Sequence, residues 1–369
     1  MKFQTVGSLL RPQRLTQARD KSLIEAKKIE DEEIIKLVEK QLDLGLTILT
    51  DGEFRREWWH LDFAWGLQGI QKSIKEHGYD FVGIETRKDI GLDVISPLSG
   101  KNHPFLQHFL FLKNIVNQRA QIKLTIPSPA QIYSELAQPY FLNFPAKVKS
   151  VYKNLKELKN GLAQAYQEFI FDYQNIGGKI IQLDDCLWEL FAKDNTQSLL
   201  PKNIPAFVVK IMAKAFIKLN NEIADYAHRL GLKVFGHNCR GNYESHHMYS
   251  GTYTSLAKNF LKGLHYDRFF LEWDDERAGD ISALRILRKK PTQIVLGLLS
   301  SKTNHLDEED RVFKLLNQAA SFIEKDRLFL SHQCGFASTK EGNKLTIDQQ
   351  WAKIQQGIKL AKSYWGEEQ

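Results

Sequence analysis

The stretch KVFGHNCRGNYE, residues 233–244, sets His237 and Cys239 two positions apart at the end of an apolar run. In an extended chain residues i and i+2 project from the same face, so an imidazole and a thiol could aim at one point; in a helix they would diverge. Two readings fit the pair: metal ligands, or a small buried cysteine beside a hydrogen-bonded core histidine. Two more residues occupy equivalent places late in later apolar runs, Glu272 in LEWD and Cys334 in SHQCG. One imidazole, two thiolates and one carboxylate form a borderline-soft donor set that suits Zn2+ better than Mg2+ or Ca2+. Ligands so widely spaced do not resemble the close cysteine pairs of a structural zinc module, whose metal nucleates a small fold. The plainer alternative makes Glu272 a salt-bridge partner at a strand end and Cys334 a core filler.

A second set lies early in the chain and in its middle: Gly7 and Ser8 in VGSLLRP, Glu53 in TDGEFRRE and Asp184 in IQLDD. Two carboxylates facing an ammonium, with a hydroxyl and the backbone amides near Gly7 and Ser8 facing a carboxylate, would hold a zwitterion, which suggests an amino-acid substrate. Each residue also has a structural role open to it. Ser8 could shape a turn, Glu53 could pair with Arg55 or Arg56, and Asp184 could cap the helix that follows.

Eight short apolar or β-branched runs carry these residues: 3–10, 46–54, 122–127, 179–185, 233–239, 268–274, 293–299 and 327–335. Between them lie segments in which apolar residues recur at three and four positions, such as 31–44, 147–176, 206–230, 308–324 and 347–363. Continuous apolar strands alternating with helices imply a parallel sheet, and eight units are the number that closes a (β/α)8 TIM barrel; an open doubly wound sheet is the runner-up. In a barrel the C-terminal strand ends form one rim, where barrel enzymes keep their sites, so distant residues converge there. Residues 55–121 break the repeat. They are rich in aromatics around EWWHLDFAWGLQGI, with strand-like pieces near 80–96, and read as an insertion after the second strand. With no Gly/Ser-rich or Pro-rich linker, residues 1–369 are expected to form a single catalytic domain.

The composition is that of an ordinary globular protein, and 369 residues can bury a sizeable core. A net charge of +7 could suggest an anionic partner, but basic and acidic residues are interleaved, as in EAKKIEDEEIIKLVEK, so no nucleic-acid partner is expected. No apolar run reaches the roughly 18 residues needed to span a bilayer, and the N-terminus lacks a secretory apolar core, so a cytoplasmic protein without membrane contact is expected. Three cysteines far apart argue for reduced thiols rather than a disulfide framework.

VGSLLRP, TDGEFRREWW, IQLDD, GHNC, LEWD and SHQCGFAS, in this order and spacing, resemble cobalamin-independent methionine synthase, specifically its C-terminal catalytic barrel and the short stand-alone relatives of that barrel. The resemblance runs over essentially the whole chain. It implies a zinc-dependent S-methyltransferase that forms methionine from homocysteine, with a metal-bound thiolate as nucleophile. It makes His237, Cys239, Glu272 and Cys334 the zinc ligands and gives Cys186 no ligand role; Ser8, Glu53 and Asp184 match positions that hold homocysteine or methionine. The chain departs from the long form in three ways. There is no room for a second barrel; IPSPAQ stands where a folate-stacking Trp is expected; and GLLSSKTNH, with Lys302 and a displaced His305, stands where a proton-donating His is expected. Lys302 is therefore the catalytic candidate there. A methylated corrinoid, either methylcobalamin or a corrinoid-carrying partner protein, becomes the first-ranked methyl donor and methyltetrahydrofolate the second. Trp58, Trp59, Phe63 and Trp65 of the insertion offer an alternative stacking platform, or simply pack it onto the barrel. Two relatives compete: zinc-dependent alkyltransferases acting on other thiols such as coenzyme M, which would lack the amino-acid contacts, and uroporphyrinogen decarboxylase-like barrels, which need no thiolate metal site. A non-catalytic zinc- or thiol-binding scaffold would use the same ligands with the fourth position closed.

Overall fold

Every apolar run falls on the wall of one barrel. In the computed structural model, which describes residues 1–192 and 206–366, the strands in chain order are β1 (Ile48–Leu49), β2 (Gln68–Ser73), β3 (Asp80–Phe81), β4 (Ile84–Glu85), β5 (Gly91–Ser99), β6 (Gln121–Pro127), β7 (Ile180–Asp185), β8 (Lys233–Asn238), β9 (Arg268–Glu272), β10 (Gln293–Leu299) and β11 (Leu328–His332). Seven of them form a parallel sheet in the order β1-β6-β7-β8-β9-β10-β11. The first run closes it. Phe3 bridges Leu330 in parallel, with Gln4 N–H donating to Leu330 O at 2.9 Å and Leu330 N–H to Lys2 O at 2.9 Å. On its other side Leu9 N–H donates to Gly52 O at 3.0 Å and the Thr50 hydroxyl to Gly7 O at 2.7 Å. The fold is a (β/α)8 TIM barrel, not an open sheet.

The outer layer is helical where the sequence shows a 3.6-residue period. Helices Leu23–Asp43, Pro104–Val116, Leu155–Asn175, Ala206–Arg229, Glu309–Ala320 and Ile347–Trp365 cover the strands. Between β8 and β10 the covering is reduced to a short helix, Tyr253–Leu256, and 3-10 turns at Glu276–Ala278 and Ile281–Leu287. The insertion after β1 holds the antiparallel pair β2–β5 and the small hairpin β3–β4, and helix Pro104–Val116 then returns the chain to the outer layer beside β6.

Inside the barrel, Val6, Ile180, Phe235, Phe270, Val295 and Phe329 form a buried plug. Two cations lie against its rings: Lys123 Nζ is 4.1 Å from the Phe270 centroid, and the Arg268 guanidinium is 4.6 and 4.3 Å from those of Phe235 and Phe329. Counting two residues onward from four members of this plug gives Ser8, Gln182, His237 and Glu272. The period of two therefore raises the polar residues directly above an apolar floor, at the C-terminal rim.

Candidate metal centre and substrate cavity

His237 ends β8 on the inward face and pairs in register with Asp184 on one side and Phe270 on the other. Cys239 follows just past the last paired residue, Asn238, again on the inward phase. Cys334 reaches the same point by a different route. Strict alternation from Phe329 would turn Gln333 inward, but the register slips between Gly297 and Leu299, opposite Ser331 and His332. The extra residue of this bulge, Leu298, lies on β10, and β11 ends at His332, so Gln333 and Cys334 lie beyond the paired ladder. Gln333 is directed outward to Ser301, accepting its backbone N–H at 2.6 Å, and Cys334 takes the inward place. Ligand atoms of His237, Cys239 and Cys334 lie within 4.8 Å of one another, and all three residues are buried.

This trio fits a metal ion. Both ring nitrogens of His237 are buried without a hydrogen-bond partner, a costly arrangement unless a ligand satisfies one of them. Contact with neighbouring sulfur, Cys186 for Cys239 and Cys239 for Cys334, pushes both thiols well above their usual range, and burial adds to it. A soft divalent ion relieves that by displacing the protons, as thiolate coordination requires. Cys186 touches Cys239 but lies outside the trio.

Glu272 stands apart from these three. Its Oε1 accepts from Lys302 Nζ at 3.0 Å and from Arg277 Nη2 at 3.1 Å, and its Oε2 accepts the backbone N–H of Arg240 at 2.7 Å. Burial alone would raise this carboxyl, but Lys302, Arg240 and Arg277 together hold it well below the usual carboxylate range. The strand-end ion pair is thus formed, with Lys302 as its partner. Burial opposes the Lys302 charge, yet Glu272 and Asp274 raise its pKa above the ordinary value. His305 is exposed and distant from this cluster in role: its carbonyl accepts from Lys353.

The second residue set converges on the same cavity, whose volume is about 870 Å³ and whose wall includes Ser8, Glu53, Asp184, His237, Cys239 and Cys334. Asp184 Oδ1 accepts from Gln182 Nε2 at 2.7 Å, and the other face of that amide accepts from Lys123 Nζ at 2.6 Å, so the lysine fixes the amide's orientation. Burial, reinforced by the Glu53 charge, pushes Asp184 well above the carboxylate range. A cationic ligand between the two carboxylates would relieve that repulsion.

Glu53 adopts a left-handed backbone, φ 59°, which a non-glycine residue takes only under constraint. The Asp51 carboxylate accepts its N–H at 2.9 Å, and Thr125 donates to its Oε1 at 2.7 Å. Its Oε2 has no hydrogen bond and lies 3.5 Å from Arg56 Nη1. Gly7 and Gly335 are required by space rather than torsion. A Cβ on Gly7 would stand 2.9 Å from Glu53 Oε1, and one on Gly335 would stand 2.0 Å from Ser8 Oγ.

Trp58 and Trp59 reach the cavity wall, whereas Phe63 packs in the core against His103 and Tyr166, and Trp65 bonds Gly91 O. The sequence reading passed over His60, Tyr79, Gln131 and Glu135, which also line the cavity. His60 and Tyr79 were hidden in the insertion, where no period assigns a face; Glu135 follows Gln131 by one helical turn, a signal that was available.

No family model matches the chain. Among curated proteins it is similar to two from Bacillus subtilis, the uncharacterized proteins YxjH (39% identical) and YxjG (37% identical), each alignment covering 98% of this chain and 93% of the relative. Among solved structures it matches a protein assigned as a vitamin-B12-independent methionine synthase from Listeria monocytogenes, at 29% identity and TM-score 0.71, over 100% of this chain and 98% of that one. It shares a fold with a B12-independent methionine synthase from a Shewanella species solved with selenomethionine, at 17% identity and TM-score 0.70, over 99% and 98% of the two chains. Matched along nearly its whole length, the chain belongs to one family with the two Bacillus proteins, and over the same span it is similar to these vitamin-B12-independent methionine synthase structures.

Proposed function

We propose that the protein is a zinc-dependent methyltransferase that moves a methyl group to homocysteine sulfur and releases methionine. The observation that carries this reading is a single cavity bringing a His/Cys/Cys donor set together with Ser8, Glu53 and Asp184. His237, Cys239 and Cys334 would hold the ion, with Glu272, on the adjacent strand, as fourth ligand after exchanging its ion pairs. The metal would supply Lewis acidity, lowering the pKa of the substrate thiol so that it reacts as a thiolate near neutral pH.

The chain's own groups set the rest. Glu53 and Asp184 face the substrate ammonium, and the backbone near Gly7 and Ser8 faces its carboxylate. The apolar floor of Phe235, Phe270 and Phe329 keeps water from below. The cavity is of the size that encloses a whole small cofactor. A methylated corrinoid remains the first-ranked methyl donor and methyltetrahydrofolate the second, and the donor assay below separates them.

Two measurements test the assignment together. Calorimetry in buffers of different ionisation enthalpy should show up to about one proton released on homocysteine binding, and weaker binding of cysteine, whose sulfur is one methylene nearer its ammonium. Methionine formation should then be assayed with methyltetrahydropteroyl-glutamates and with methylcobalamin. Homocysteine binding without proton release, or no methionine from either donor, would count against the function.

A further inference from the structure

The same cavity wall also carries a polar cluster outside the His/Cys/Cys trio and the Ser8, Glu53 and Asp184 set. His60 is 4% exposed, and its Nε2 lies 3.2 Å from Glu135 Oε1 and 3.2 Å from the Tyr79 hydroxyl. Tyr79 donates to Glu135 Oε2 at 2.7 Å and Gln131 Nε2 to Glu135 Oε1 at 3.3 Å, so the carboxylate is ringed by donors. One edge of the imidazole is thereby fixed. The other edge, Nδ1, is buried and has no hydrogen-bond partner. The Trp59 ring, on the same wall, sits 4.5 Å from the His60 ring and holds its plane.

A buried imidazole on a cavity wall, with one nitrogen held by a carboxylate and the other without a partner, can carry a proton to or from a bound molecule. Burial alone would raise the Glu135 carboxyl, but the facing imidazole and the bonds from His60, Tyr79 and Gln131 hold it below its ordinary value.

The geometry points to His60 as the general acid of methyl transfer: its Nδ1–H protonates the leaving group of a donor whose methyl is bonded to an amine nitrogen. The assignment rests on the proposed methyl transfer to homocysteine. In the step, the thiolate sulfur forms a bond to the methyl carbon and the carbon–nitrogen bond breaks. Its electron pair stays on nitrogen, which takes the proton from Nδ1. His60 is left neutral, still bonded through Nε2 to Glu135, and regains its proton from water once product leaves. No electron acceptor or donor is needed. Glu135 and Tyr79 act through His60 and are positioning residues. Lys302, the proton-donor candidate from the sequence, is already paired with Glu272.

The test compares donors that do and do not need a proton. Wild type, His60→Gln and Glu135→Gln, each loaded with zinc and checked for about one metal per chain and an unchanged circular dichroism spectrum, are given homocysteine and 5-methyltetrahydrofolate. In parallel each receives methyl iodide, whose leaving iodide takes no proton and which needs no binding site. With the folate, His60→Gln should lose about a hundred- to ten-thousandfold in turnover and Glu135→Gln less, while alkylation by methyl iodide stays within a few-fold for all three. Equal losses with both donors would mean that His60 only supports the fold, and no loss with the folate would mean that another group gives the proton; either overturns the assignment. So does a wild type that alkylates with methyl iodide but makes no methionine from the amine donor. Failure of wild type to alkylate homocysteine with methyl iodide would instead strike the thiolate chemistry itself.

Discussion

At the scale of residues, three cysteines converge but are not equivalent. Cys239 and Cys334 share the trio with His237, whereas Cys186, half-buried just past β7, meets the Cys239 sulfur and the Gln131 amide oxygen but lies outside the trio. Cys239→Ser and Cys334→Ser should each abolish zinc retention through desalting, because a hydroxyl does not ionise to replace a thiolate. Cys186→Ser should keep about one zinc per chain. Elemental analysis giving the reverse pattern would show that the ligand set is misassigned. Much of this was legible in the sequence: His237 and Cys239 at i and i+2 and Cys334 just past a matching strand end come together because the strands are parallel and in step. What could not be read was how each side chain is used. Glu272 is on the expected rim, but Lys302, Arg277 and the Arg240 amide claim its oxygens, and those partners come from loops with no periodic signal.

At the scale of elements, the eight runs were legible as strands, though the first is held by a single bridge and the second is only two residues long. Both runs carry site loops, and Thr50, Gln41 and Gly52 satisfy their backbone groups instead of a ladder. The seating of Cys334 was not legible, since it lies past the last paired residue of β11, where no strand period assigns a face. The insertion yielded least. Its join to the barrel depends on His103, which caps helix Pro104–Val116: Nδ1 accepts the Phe105 N–H at 3.1 Å, and Nε2 lies 2.9 Å from Phe63 O as donor. Burial lowers its pKa from the ordinary 6.5 to about 4. The unfolded chain therefore binds more protons between those values, so this contribution is complete above about pH 6.5 and falls as pH drops toward 4. The slope for one group is about 1.4 kcal/mol per pH unit at most. Urea unfolding at several pH values should show His103→Gln less stable than wild type at pH 7.5 and the gap narrowing toward pH 4.5. A gap that widens on acidification would contradict the neutral cap.

At the scale of the whole molecule, the metal ligands lie above a barrel that is already complete. A plug of six apolar side chains fills the interior, and a continuous buried core joins strands to helices outside it. None of this depends on His237, Cys239 or Cys334, which sit at strand ends rather than within the packing. A small zinc module unfolds without its ion because the ion supplies most of its folding free energy, but an ion held by this trio would add only ligand-binding stabilisation to a fold packed without it. Removing the metal with a chelator should therefore abolish homocysteine binding while leaving the far-ultraviolet circular dichroism unchanged and unfolding cooperative. Tm should drop by several degrees. A free ion at a hundred times its Kd adds only about 2.7 kcal/mol, and for a chain of this length each kcal/mol moves Tm by no more than about 2–4 °C. Restoring Zn2+ should bring back both Tm and binding. Loss of the helical spectrum on chelation would mean that the metal holds the barrel together, and that the rim site is structural rather than a place where a substrate thiol is activated.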